Sequence, residues 1–402
     1  MQIECRASRA RLCPRGRAGP CAYSYMNAVY QYHAHNLNLS LQAGAGVTHG
    51  TRAGGHGAST HALRCRAWLA GMPGHGMAEE QAMLAADLAA ADTLLAGGRI
   101  IDAHSHIWTQ NTDDFPLHPS CTVSDLDPAS FTAEELLEVT RTHGVGRAVL
   151  IGHDVFHGYD NSYMLDAVRR YPGRFAVCAL IDDRDTTTAP ADLMRSLLLE
   201  GVSGFRIDPF PKGLEMLDKS KRRVDWLGGE GMASMWACAS ETRQALCCLI
   251  DPSDLPEVDA MCSRFPDTPV VIDHFARIGV SGQVDEVDLD SLCALARHPN
   301  VSVKLSAFYA LGQKCPPYHD LVPMIRRLHA SFGARRLMWA SDCPYQLTEA
   351  TVKHTYADSL ALIQQPDGPL SFLTPDDREW ILWKAAEQTF FSVLPTEHAD
   401  GS

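Results

Sequence analysis

Two histidines one residue apart, His104 and His106, lie in the apolar segment RIIDAHSHI (99–107). On a β-strand, positions i and i+2 share a face and stand about 6 to 7 Å apart. Two imidazoles so placed suit a zinc-type ion, or supply two hydrogen-bond donors to a substrate carboxylate. Left without partners on an inward face they would be costly. Other apolar runs also stop on polar residues: Arg206 and Asp208 after VSGF, Asp273 and His274 after PVVI, Lys304 within VSVKLSA, and Ser341 and Asp342 after RLMWA. A carboxylate where a core strand runs out can take a proton from water or cap the next helix. Fixed cations near strand ends suit a carboxylated substrate, Arg bidentately, or form an internal ion pair.

Residues so scattered in sequence need a scaffold that gathers strand ends. Eight short, β-branched or apolar runs fit strands: 99–107, 147–154, 175–182, 202–208, 245–251, 269–274, 301–307 and 336–342. Between them lie stretches of helical period such as FTAEELLEVTRTHG, where Thr132 and Glu135 have capping-box spacing, NSYMLDAVRRYPG and DLVPMIRRLHASFG. A last amphipathic helix, TPDDREWILWKAAEQTFF, ends the domain. Eight strands, most followed by a helix, over about 300 residues predict a single α/β domain, a (β/α)8 TIM barrel across 99–395, with a doubly wound open sheet as the alternative. In such a barrel the C-terminal strand ends form the site, which is where the polar residues fall.

The 402 residues carry a formal charge of −13, unevenly spread. Residues 1–77 hold eight Arg, no Lys and one acid, Glu4; the remainder holds 27 bases and 47 acids. The first 77 residues read as a disordered Arg/Gly/Ala-rich extension, either an organellar transit peptide or sequence attached by a misplaced start. The Ala/Leu segment 78–98 reads as a lead-in helix. An acidic body argues against nucleic-acid binding, and no apolar run approaches a membrane span, so the protein is expected to be soluble. None of the 13 Cys forms a CxxC pair, which excludes a paired-Cys zinc module and suits an intracellular, cytoplasmic protein, or a mitochondrial or chloroplast one if the extension is a transit peptide.

DAHSHIW (102–108), GFRID (204–208), PVVIDHFAR (269–277), VSVKLSAFYALG (301–312) and RLMWASDCP (336–344) together resemble the amidohydrolase-related (amidohydrolase 2) family of barrel hydrolases, nearest its pyrone-dicarboxylate lactonase and fuconolactonase-like branch. The resemblance covers 99–392 and leaves 1–97 aside. It implies that Asp342 activates water, that His104 and His106 bind metal or substrate, and that His274 orients or polarises the substrate carbonyl. Arg206 and Lys304, with Trp108, Arg277 and Tyr309 from the same motifs, are then substrate-binding. A metal, zinc, would take His104, His106 and Asp342, yet metal-dependent relatives are similar in having a His on strand five, where this chain reads Ala-Leu-Cys247-Cys248-Leu-Ile-Asp251. Either Cys248 or Asp251 substitutes, or no metal is tightly held; no cofactor is certain.

The function expected is hydrolysis of a small carboxylated lactone. Alternatives are a metal-dependent decarboxylase of the aminocarboxymuconate semialdehyde type and an inactive barrel with a binding role. The partner expected is an anionic small molecule, with no nucleic acid and no membrane; homo-oligomerisation stays open. The interval Pro209–Gly229, containing KSKRR, reads as a solvated surface loop rather than a lid or a nuclear signal.

Overall fold

The computed structural model describes residues 98–348 and 354–393; the extension over 1–77 and the lead-in helix expected over 78–98, apart from Gly98, lie outside the described residues. Eight parallel strands follow in sequence order around one sheet: β1 Ile100–Ser105, β2 Val145–Ile151, β3 Phe175–Ala179, β4 Val202–Ile207, β5 Ala245–Cys248, β6 Val270–Ile272, β7 Val301–Leu305 and β8 Leu337–Trp339. Each coincides with one of the runs expected from sequence, β2 starting two residues earlier. Closure between β8 and β1 uses backbone bonds just past the strands, Asp342 N–H to His104 O (2.9 Å) and His106 N–H to Cys343 O (2.8 Å). The buried Asp102 carboxylate clasps the same seam, accepting from the Ser341 amide (2.8 Å), the Tyr356 hydroxyl (2.7 Å) and the Ser105 hydroxyl (2.8 Å).

Helices α1 Ala133–Arg141, α2 Ser162–Arg170, α3 Pro190–Leu199, α4 Glu230–Thr242, α5 Leu255–Arg264, α6 Glu286–Ala294, α7 Val322–Phe332 and α8 Tyr356–Gln364 cover the sheet. The capping box read from sequence is present at α1, where the Glu135 amide donates to the Thr132 hydroxyl (3.2 Å) and the Thr132 amide to the Glu135 carboxylate (2.6 Å). These bonds satisfy amides that a helix start otherwise leaves without partners.

The inside of the barrel holds the branched or long Ile101, Val149, Ile151, Val271 and Met338 beside the smaller Ala103, Ala176, Ala245, Ala340, Cys178 and Cys247. Into the same cluster pack Ala385, Ala386 and Phe390 of the C-terminal helical run over 375–391. Phe390 is fully buried, and a Cβ at Gly204 would meet Ala245 O at 2.8 Å and the Phe390 ring at 3.5 Å, so β4 needs glycine there. The plug shuts one end of the barrel and leaves the strand C-termini as the working end.

Candidate active site

Three strand ends reach the site by backbone that L-residues seldom adopt. After β6 the chain makes a left-handed turn through His274 (φ 50°), Phe275 (56°), Ala276 (52°) and Arg277 (60°), and Ala307 (53°) and Asp342 (62°) leave β7 and β8 the same way. Such a conformation costs roughly 1–2 kcal/mol per non-glycine residue and persists where surrounding packing overdetermines it. All six residues are buried. The turn aims His274 inward and carries Arg277 along the rim.

The four residues that the sequence singles out as catalytic meet at one point. His104 Nε2 lies 3.2 Å from His106 Nε2, Asp342 Oδ1 lies 3.5 Å from both, and His274 Nε2 is 3.8 Å from the same oxygen. The Ile151 carbonyl can only accept, so the 3.0 Å bond from His106 Nδ1 places the proton there and leaves the Nε2 lone pair facing Asp342. His274 Nδ1 pairs with the Ser306 hydroxyl (2.8 Å), and Tyr309 donates its hydroxyl to Asp342 Oδ2 (2.8 Å).

Charges beneath this point are paired. Lys304 Nζ, wholly buried, is 2.9 Å from Asp273 Oδ1 and 3.3 Å from His104 Nδ1. Arg206 Nη1 holds Asp154 (2.8 Å), while Nη2 is 3.7 Å from Asp273 and 3.3 Å from His104 Nε2. Lys212 bridges Asp154 (2.5 Å) and Asp208. Burial pushes the Asp342 carboxyl up, but the neighbouring His274, His106 and His104 imidazoles outweigh it and hold it well below the usual carboxylate range. Asp273 is likewise low, burial being overcome by Lys304 and His104. Burial, then the Lys304 charge, keep the His104 imidazole neutral, and burial also lowers His274 against the pull of Asp342. Asp208 moves the other way, up to about 6, through burial that Lys212 only partly offsets.

A zinc–nitrogen distance of about 2.0–2.1 Å implies roughly 3.3 Å between ligand atoms on a tetrahedral face. The His104, His106 and Asp342 triangle has edges of 3.2, 3.5 and 3.5 Å, so these donors fit one face of such a site with the fourth position open. Two cations beside the His104 ring nitrogens, Lys304 and Arg206, oppose a tightly held ion there. Strand five adds no ligand among the described residues: Cys248 packs in the outer core, and Asp251 pairs with Arg277 (3.2 Å), so neither takes the place of the missing histidine.

The remaining sequence candidates fall in different places. Lys304, expected from sequence to bind substrate, is fully buried beneath His104 and paired with Asp273. Arg206 is engaged by Asp154, and Trp108 is a buried wall whose indole donates to Pro128 O (2.8 Å) behind His153 and Tyr345. Arg277 borders the site three residues from His274. Asp154, Lys212 and His153 escaped notice in the sequence; His153 and Asp154 do stand at the end of a strand run, the signal that marked the others. The interval after β4 lies at the surface, with Ser220, Lys221, Val224 and Asp225 exposed, and ion pairs hold it: Arg223 forks onto Asp183 (2.6 and 2.8 Å), Arg222 holds the buried Asp254, and Lys221 pairs with Glu215 (2.9 Å). Those pairings are invisible in a linear run of bases.

A parallel barrel with convergent histidines and a carboxylate at its C-terminal mouth is the architecture of a metal-assisted or carboxylate-driven hydrolase. Residues 101–391 match the family described as Amidohydrolase, and the chain belongs to it. By sequence it is similar to an L-fucono-1,5-lactonase of Burkholderia ambifaria, 28% identical over 244 residues that cover 61% of this chain and 80% of that protein. A 4-sulfomuconolactone hydrolase of Hydrogenophaga intermedia is 28% identical over 247 residues, covering 61% and 74%. Similar solved structures include a probable 2-pyrone-4,6-dicarboxylic acid hydrolase of Acinetobacter baumannii with citric acid bound, at 20% identity, TM-score 0.58 and coverage of 72% of this chain and 98% of that one. Another is an amidohydrolase of Burkholderia multivorans with bound zinc, at 20% identity, TM-score 0.56 and coverage of 74% and 99%. At these identities the structural likeness is one of fold.

Proposed function

We propose that this chain is a hydrolase that opens a small lactone bearing an anionic group. One observation carries the reading: Asp342 Oδ1 stands within 3.8 Å of three imidazole nitrogens at the barrel mouth. Asp342 is ionised throughout the neutral range, so the base form is always present, although a low pKa makes it a weak base. The His274 imidazole compensates. Neutral because of burial, it donates a hydrogen bond to the oxygen on which charge develops as water attacks the carbonyl, and such a preorganised donor acts strongly in a dry site. With Ser306 donating to Nδ1, His274 presents Nε2–H for this task. Tyr309 fixes the second Asp342 oxygen, so Oδ1 is the one left to take the water proton. A zinc ion held by His104, His106 and Asp342 would supply carbonyl polarisation and a more acidic water.

The named activities of the two lactone-opening relatives support the reading, as does the family. The compartment is read as intracellular, because all nine cysteines among the described residues are thiols. Among the described residues no helix is long and apolar enough to cross a membrane. The test is a panel of sugar lactones and carboxylated aromatic-degradation lactones, assayed with and without chelator. Turnover of none by the purified full chain, with or without added zinc, would remove the proposal.

A further inference from the structure

The plugged end has a cavity of its own, at the opposite end of the strands from the histidine cluster. An open space of about 520 Å³ lies between the C-terminal helical run and the N-terminal ends of β6, β7 and β8. Small-molecule sites occupy roughly 300–1,000 Å³. The wall reaches into the barrel: Val271 belongs to the inner cluster, and Ser302 stands two residues before Lys304 on β7 and so shares its face.

Among the described residues the charged groups lining this cavity are all arginines: Arg243 at the end of α4, and Arg335 and Arg336 from the turn before β8. Neutral groups hold each guanidinium. Arg243 Nη1 donates to Asp267 O (2.5 Å), and Arg336 donates to the carbonyls of Phe332 (3.1 Å), Ala296 (3.0 Å) and His298 (2.8 Å). The Arg335 Cζ lies 4.2 Å from the Trp380 ring centroid, while Asp376, which feels the Arg335 charge, is paired with Lys384 at 2.8 Å. None of the three forms an ion pair with a carboxylate among the described residues, whereas other surface arginines of this acidic body do: Arg141 with Glu138, Arg195 with Glu241 and Arg327 with Glu286. Burial lowers Arg336 from its ordinary value, and no acid opposes the shift.

Arg243 also sits in left-handed backbone, φ 63°, at a helix end where glycine is usual. Backbone preference therefore does not account for an arginine there. The Ser302 hydroxyl and the Gln388 amide, both on the cavity wall, have no hydrogen-bond partner among the described residues. Guanidinium groups fork onto phosphate and carboxylate oxygens, and hydroxyl and amide groups add donors to the same oxygens.

We propose that this cavity is a second binding site, separate from the barrel mouth, for a small and multiply charged oxyanion, a phosphate or a polycarboxylate. Its concave shape suits a small molecule, and the acidic body around it repels larger polyanions such as nucleic acid. Arg243 and Arg335 supply the counter-charge at the rim, and Arg336 supplies it deeper in.

The test titrates the full chain calorimetrically with inorganic pyrophosphate, with citrate and with uncharged glucose, and repeats this on Arg335→Met, Arg243→Met and Arg243→Lys. The wild type should bind at least one of the two anions with a Kd of about 1 mM or below and should not bind glucose. Each Met variant should bind that anion about tenfold more weakly, Arg243→Lys should keep most of the affinity, and added salt should weaken binding. Which anion binds more tightly tells phosphate from carboxylate chemistry. Arg243 and Arg335 are exposed, so both Met variants should melt close to the wild type without ligand and turn over any accepted lactone at the wild-type rate. No binding of either anion by the wild type overturns the site. So does binding that is equal in the wild type and both Met variants, which would place the anion elsewhere, the barrel mouth included.

Discussion

The two ends of this barrel are built on opposite principles. At the plugged end, Phe390 and two alanines pack among aliphatic, alanine and cysteine side chains, so the interior there is apolar. At the open end, Asp154, Asp208, Asp273 and Asp342 are buried among Arg206, Lys212, Lys304 and three histidines, and several residues sit in left-handed backbone. Charge burial and strain both oppose folding. The plugged end offsets them through apolar burial, and the open end retains them because they hold reactive groups in place. Substitutions should therefore separate the ends: stability responds to both, turnover to one.

The largest effect is expected at the mouth. Asp342→Asn keeps the shape but loses the base, and should lower turnover of any accepted lactone by about 10³-fold, with a lower melting temperature because the carboxylate's favourable interaction with the imidazoles is lost; an active variant would end the assignment of the base. Next comes Lys304→Met, which leaves Asp273 buried without its cation and should cost about 3–5 kcal/mol of unfolding free energy by chemical denaturation. At the plugged end Phe390→Ala should also cost about 3–5 kcal/mol, while kcat per folded molecule stays near wild type. If kcat falls as steeply as stability, the division of labour between the two ends fails. A smaller effect belongs to the left-handed turn: Ala276→Gly, at φ 52°, should stabilise by up to about 1 kcal/mol, since glycine enters that region without the Cβ penalty.

Proton linkage gives a further contrast within the mouth. Asp154, Asp273 and Asp342 are held below the ordinary value of 3.8, so the stability they contribute is fully present above it and drains away as pH falls through their lowered values. Asp208 has the opposite sign. Its pKa is raised to about 6, so its contribution is present below 3.8 and is lost as pH rises through about 6. Melting temperature should drop steeply below pH 4, and Asp208→Asn should flatten whatever slope the wild type shows between pH 4 and 6. A slope unchanged in that variant would assign it to other groups.

Much of this was readable in the linear chain. The eight strand runs carry β-branched and apolar residues bounded by polar ones, and the structure places a strand within or beside each. His104, His106, His274 and Asp342 each end such a run, and barrel topology then brings them together. Helix α4 was harder to see, because GMASMWACASET is small and apolar around much of its circumference and shows no charged stripe. The left-handed turn at His274–Arg277 contains no glycine to announce it. The pairing of KSKRR was hidden because two of its acids, Asp183 and Asp254, are supplied by other segments.

Residue type and period determined the number of strands, their order and the polar residue at the end of each, because burial selects the runs and the strand period of two selects the faces. Which cations are paired inside the scaffold was decided only in three dimensions. Lys304 and Lys219 are the same residue in a sequence, yet Lys304 has Asp273 at 2.9 Å and Lys219 has an aromatic ring and a second cation. An ion pair depends on distance and burial, and neither is encoded locally along the chain.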